Sequence, residues 1–232
     1  MPPDNAGNSD EPVKPRDAAS LILLRDGADG PEVLMGRRPL ASRFMPGVYV
    51  FPGGAVDRGD FDLQTERDAA GAVIERLGRK APPPLARALL WTALRETWEE
   101  TGLLLGAPGA ARGTHGCAAL SAYSDAGLAP DLGALDYLMR AVTPSYVPIR
   151  FNTRFFIANG AAVSGELRQV TELEDIGWRS VREAETLNIV NVTGLVLEEA
   201  AKYWHGEFDG AQDRPTPMFT QKVPGEIVLR KE

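Results

Sequence analysis

The chain has 232 residues, 44% hydrophobic and 25% charged, a composition close to a soluble globular average that excludes a fibrous, collagenous or wholly disordered protein. Its 32 acidic and 25 basic residues give a formal charge of −7, which argues against a nucleic-acid backbone binder while leaving room for a local basic pocket for a small anion. One cysteine, Cys117, and two isolated histidines, His115 and His205, leave no basis for a disulfide framework or a Cys/His zinc site.

Residues 1–16 are rich in Pro, Asp and Asn without periodicity and read as a disordered tail, with 17–232 as one domain. The sequence opens without a secretory pattern, and no apolar run approaches the roughly 18 residues of a membrane span, so the expectation is a cytoplasmic protein that touches no membrane. Pattern does not separate a monomer from a homodimer. In chain order, Ser20–Leu24 has the length and punctuation of a buried strand, and Glu32–Gly36 forms a hairpin with it across the link 26–31. Val48–Phe51 is a third strand, stopped by Pro52-Gly53-Gly54. A helix is expected over 66–77, and a longer one from Pro84 to Thr101, with prolines before its start and Gly102 at its end. Strands follow at 154–158 and 175–178, and a helix at 193–205. Segments 106–116 and 207–217 read as Gly/Ala/Pro-rich loops. Strands and helices mix without strict alternation, which points to an α+β protein with α/β/α layers around a mixed sheet.

The helix over 84–101 carries the most informative residues. With 100° per residue, Leu90, Trp91, Leu94 and Trp98 form one apolar stripe, and Glu96, Glu99 and Glu100 group on the opposite face within about 100° of arc. Like charges four residues apart are unfavourable, and carboxylates near a helix C-terminus oppose the macrodipole. A divalent cation would remove both penalties, since Mg²⁺ takes hard oxygen ligands. Arg95, four residues before Glu99, can orient that carboxylate. Glu-rich helix faces are also common as plain solvated surface. The glycine turn Gly53-Gly54 directly after a strand adds a place where backbone can approach a ligand closely.

Together these residues resemble the Nudix hydrolase box, G-x5-E-x7-R-E-U-x-E-E-x-G-U, where U is bulky and apolar. Gly54 matches the first glycine, and Arg95, Glu96, Glu99, Glu100, Gly102 and Leu103 match the second half. Asp60 stands where the family has Glu, Thr97 replaces the first U, and 34 residues rather than seven separate Asp60 from Arg95. The excess of 27 reads as a helical insertion, centred on 61–83. The approach Arg43-Phe44-Met45-Pro46-Gly47 to Phe51-Pro52-Gly53-Gly54 is similar to that of coenzyme A diphosphatases, whose upstream motif Leu34, Arg38, Arg43 and Gly47 also fit. Gly36 and Pro39 depart from it.

The resemblance implies a Nudix-type α/β/α sandwich and hydrolysis of a diphosphate in a nucleotide derivative, with Mg²⁺ or Mn²⁺ as cofactor. Coenzyme A or an acyl-coenzyme A leads as substrate. ADP-ribose, NADH and dinucleoside polyphosphates are alternatives, and a non-catalytic nucleotide-binding regulator is an alternative of another class. It assigns Glu96, Glu99 and Glu100, with the Gly53 carbonyl, to the metal, and Arg95 to holding the glutamates. Arg38, Arg43 and Gly54 are assigned to substrate, and Arg154, at the start of a strand, is read as a further residue facing the pocket. The acidic loop Glu172–Asp175 is read as a solvated turn, with a carboxylate base as its alternative. Phe44, Tyr49 and Trp178 are read as core residues.

Overall fold

The computed structural model describes residues 13–207 and 215–232. Most of the expected tail, and most of the expected loop 207–217, therefore lie outside the described residues. The apolar run Ser20–Leu24 does not alternate, as a strand buried on both faces requires. It lies within β1 (Arg16–Gly27). Leu21 and Leu23 enter one core, and Ile22 and Leu24 the other. Arg16, placed in the tail by composition, is already paired with Phe151.

β1 forms the expected hairpin with β2 (Gly30–Arg37). Two short strands follow, β3 (Tyr49–Val50) on β2 and β4 (Gly53–Ala55) on the first half of β1. A 3-10 turn (Arg58–Asp62) and β5 (Gln64–Thr65) lead to α1 (Gly71–Gly78) and α2 (Pro83–Thr101). α1 starts five residues later than periodicity suggests. The segment before it is taken by other partners: the Arg67 carbonyl accepts from Leu132 N–H, and Asp68 pairs with Arg87. α2 ends at Gly102, whose φ of +81° is the left-handed C-cap that glycine adopts without a Cβ penalty.

The stretch read as loop 106–116 contains β6 (Gly106–Pro108) and β7 (Ala111–Arg112), which pair with β8 (Leu128–Pro130) and β5. These strands of two and three residues are too short to show a period. α3 (Ala118–Asp125) lies between β7 and β8. β9 (Asp136–Val142) and β10 (Phe151–Asn159) precede β11 (Glu174–Ser180), α4 (Val181–Ala184), α5 (Asn191–Trp204), β12 (Pro217–Gln221) and β13 (Ile227–Lys231).

Among the described residues the main sheet has nine strands, with a backbone order β11-β2-β1-β10-β9-β12-β13. β1/β10 and β9/β12 are parallel and the other pairs antiparallel, so the sheet is mixed. α1, α2 and α3 pack their apolar residues on one face, and α4 and α5 on the other. The expected α/β/α sandwich is what forms. No helix among the described residues is long and apolar enough to cross a membrane.

Candidate active site

The end of α2 meets β4 at the edge of β1. Arg95 is buried there at 6% exposure and acts as a hub. Its Nε and Nη2 donate to the two carboxylate oxygens of Asp60 at 2.8 and 2.9 Å. Its Nη1 donates to Glu96 Oε1 at 2.9 Å and Glu99 Oε2 at 2.8 Å. Asp60, 3% exposed, also accepts from the Asp57 amide and the Thr92 hydroxyl. The insertion therefore returns Asp60 to the site, where it sits behind Arg95 rather than among the glutamates. Thr97, in place of the family's apolar residue, is buried because its hydroxyl donates to Ala93 O within the helix.

Glu96, Glu100 and Glu172 each bring a carboxylate oxygen within 4.8 Å of the others. Glu99 is not in this group; it is turned to Arg95 and half-buried. Its place is taken by Glu172, from the loop read as a solvated turn. The loop is anchored by Leu173, which is fully buried and packs against Gly36, where a Cβ would stand 3.0 Å from the leucine Cβ. That packing accounts for the glycine at a position where the family motif has Thr. An acidic loop alone did not disclose Glu172 as part of the site, because no sequence spacing ties it to α2.

Two glycines set the wall. Gly53 N–H donates to Glu100 Oε2 at 2.8 Å. A Cβ on Gly53 would lie 2.5 Å from Ala19 O, and one on Gly54 only 2.3 Å from Glu96 Oε1. At Gly53 the obstacle is backbone, which demands glycine, whereas at Gly54 it is the movable end of the Glu96 side chain. Burial pushes Glu96 up to about 7, against the opposing pull of Arg95 and with help from Glu99 and Glu172. Glu100 is raised well above the usual carboxylate range by burial, the Gly53 hydrogen bond opposing. Carboxyls crowded, desolvated and raised in this way form a hard-oxygen set that a divalent cation would stabilise in its ionised form.

The carboxylates open into a cavity of about 1010 Å³. Arg38 lines it, its Nε donating to Phe44 O at 2.8 Å, and its positive charge pulls Glu100 downward. Phe44, read as core, lines the cavity too, edge-on to Phe151 at 5.3 Å. Arg43 is exposed and does not line it. Arg154 corrects the expectation outright. It is 1% exposed, pairs with Asp17 at 2.5 Å and donates to the carbonyls of Asn152 and Lys80. Strand alternation turns Arg154 to the sheet face opposite its neighbours Thr153 and Phe155, which do line the cavity. Residues 61–83 contribute nothing to the lining.

An α/β/α sandwich with a carboxylate-bearing helix beside a Gly-Gly strand defines a Nudix-type fold. No protein-family model matches the chain. A Nudix hydrolase from Alicyclobacillus acidocaldarius is 36% identical, with 80% of this chain and 90% of that one covered and a TM-score of 0.61. A mutator MutT protein from Bacillus halodurans shares the fold at a TM-score of 0.51 and 14% identity, over 94% of this chain and 97% of that one. An acyl-coenzyme A diphosphatase from Gallus gallus is 36% identical over 126 residues, covering 40% of this chain. The chain spans 33% of that relative's length. The chain belongs to the Nudix hydrolase family.

Proposed function

We propose that this protein is a divalent-metal-dependent hydrolase that cleaves the diphosphate of a nucleotide derivative, with coenzyme A or an acyl-coenzyme A as substrate. The observation that carries the reading is the convergence of Glu96, Glu100 and Glu172 beside Gly53 and Gly54, at one end of a cavity far larger than a diphosphate. Glu96, Glu100 and Glu172 would hold Mg²⁺ or Mn²⁺, with the Gly53 carbonyl as a backbone donor. The bound ion supplies charge neutralisation of the diphosphate and acidification of a water molecule. Arg95 holds Glu96 and Glu99 in place, and Arg38 offers a cation to a substrate phosphate. In the reaction, water adds its oxygen to one phosphorus, the bridging P–O bond breaks, and two phosphomonoesters leave. The similarity to an acyl-coenzyme A diphosphatase, and the upstream residues Leu34, Arg38 and Gly47, support the choice of substrate.

The test is incubation of the purified chain with Mg²⁺ or Mn²⁺ and coenzyme A, acyl-coenzyme A, ADP-ribose, NADH or dinucleoside polyphosphates, with products separated by chromatography. Release of 3′,5′-ADP and 4′-phosphopantetheine, lost in Glu100→Gln, is the expected result. Cleavage of ADP-ribose or NADH alone would overturn the substrate and keep the chemistry. No turnover and no metal binding would leave a nucleotide-binding regulator as the better reading.

A further inference from the structure

Beyond the carboxylates the cavity extends into a second, apolar wing, and we infer that this wing binds the acyl chain of a long-chain acyl thioester. The inference rests on the coenzyme A reading above and deepens it. The cavity crosses the sheet from β4 over β1, β10 and β9 to β12. Four strand spacings of 4.7–4.9 Å make that about 19 Å. A diphosphate beside Glu96 and Glu100 occupies only the first part.

The far part differs in chemistry. The charged lining residues are Arg16, Arg38, Glu96, Glu100 and Glu172. Among the described residues, those that line the cavity from 141–155, 189–193 and 219–221 include no charged side chain. Phe155 and Phe219 floor the wing, and Ile189 and Val192, just before and at the start of α5, cover it within the same apolar cluster. Polar side chains, among them Thr143, Thr153, Asn191 and Gln221, line this part as well, and Arg16 is the register partner of Phe151; the apolar surface is the floor of Phe155 and Phe219 under Ile189 and Val192. An aliphatic chain needs no polar partner and is stabilised by each methylene it buries against that floor. The diphosphate links the nucleoside to the arm that carries the acyl group. With the diphosphate fixed at the glutamates, one arm lies toward Arg38 and the other enters the wing. The length and the apolar floor select the acyl arm.

The experiment measures kcat/KM for free, acetyl-, octanoyl- and lauroyl-coenzyme A with the full chain and Mg²⁺. The expected result is a KM that falls with chain length, by tenfold or more from free to lauroyl-coenzyme A. Val192→Trp, which fills the wing, should lower the lauroyl-to-free ratio of kcat/KM by tenfold or more. Gln221→Trp, at the far end, repeats the test at a partly exposed position should the first variant fail to fold, with near-ultraviolet circular dichroism as the check. Cleavage of all four compounds with equal KM, or a chain-length preference untouched by folded variants, overturns the acyl wing while leaving the diphosphatase reading intact. Cleavage of none of them removes the coenzyme A reading and the wing with it.

Discussion

Asp60 is the residue whose replacement tests the architecture of the site most sharply. Its Oδ1 accepts from Arg95 Nε, and its Oδ2 accepts from Arg95 Nη2, the Asp57 amide and the Thr92 hydroxyl. Asp60→Asn keeps the shape and removes one oxygen. In either amide orientation the NH2 group faces donors: Arg95 Nε in one, and Arg95 Nη2 with the Asp57 amide in the other. The Thr92 hydroxyl can adapt, because Ala88 O also lies within reach of its single proton at 2.8 Å. Arginine and the backbone amide have no such freedom. The change therefore loses a charge-assisted bidentate pair and leaves a buried guanidinium short of a partner. Breaking a buried pair from one side costs about 3–5 kcal/mol. Glu96 and Glu99 still face Arg95, so the lower end, ~3 kcal/mol, is expected. By the usual scaling for chains of this size, that lowers Tm by ~6–12 °C. Urea and thermal unfolding with chelator present measure it. A loss below about 1 kcal/mol would refute the account of Arg95 as a hub that depends on Asp60.

Two further outcomes follow from the same geometry. Gly54→Ala places a Cβ against the Glu96 carboxylate, a movable side-chain end, so Tm should shift by only a few degrees. Displacement of that carboxylate by about 1 Å should lower kcat by ~10²-fold, and near-normal turnover would contradict the wall described above. Glu96 bears on pH. Burial raises it from 4.5 to about 7, so between those values the folded, metal-free chain holds a proton that the unfolded chain has released. The contribution of Glu96 to stability is thus complete below pH 4.5 and lost as pH rises through 7. Glu96→Gln never ionises and should match the parent near pH 4.5 while gaining ~3 kcal/mol on it at pH 8 in chelator, and parallel stability curves would refute the raised value.

The fold was largely legible, because long runs such as Ser20–Leu24 and Pro84–Thr101 declare their environment over many residues. The acidic face of α2 and the glycine pair pointed to Glu96 and Glu100, which converge beside Gly53 and Gly54. What escaped were positions fixed by tertiary packing. Arg154 was misplaced because its face depends on strand register, and a one-residue shift reverses it. Glu172 was undervalued because its position depends on Leu173 fitting over Gly36 from a distant strand. Neither relation has a local period. Glu99 fell within the acidic arc of the helical wheel, yet Arg95 four residues before it holds it away from the converging carboxylates.

The insertion illustrates which part of a family signature is physical. A spacing of seven residues between the acidic residue and the arginine is one way to bring them together; here 34 residues intervene and the pair still forms at 2.8 Å. Closing a longer loop costs only logarithmically more, ~1.4 kcal/mol for this lengthening if the segment were wholly flexible. It is not left flexible. α1 packs Val73 and Leu77 into the core under α2, β5 pairs with β7, and Arg76 donates to Tyr137 O at 2.8 Å while pairing with Asp136. The 3-10 turn over Arg58–Asp62 then sets Asp60 facing Arg95, whose long side chain covers the distance that Asp, one carbon shorter than Glu, leaves open. The segment lengthens the path without moving its ends. Because residues 61–83 line none of the cavity and α1 packs into the core under α2, the segment braces the helix that carries Glu96 and Glu100, while the cavity beyond those carboxylates is lined from β9, β10, β12 and the start of α5.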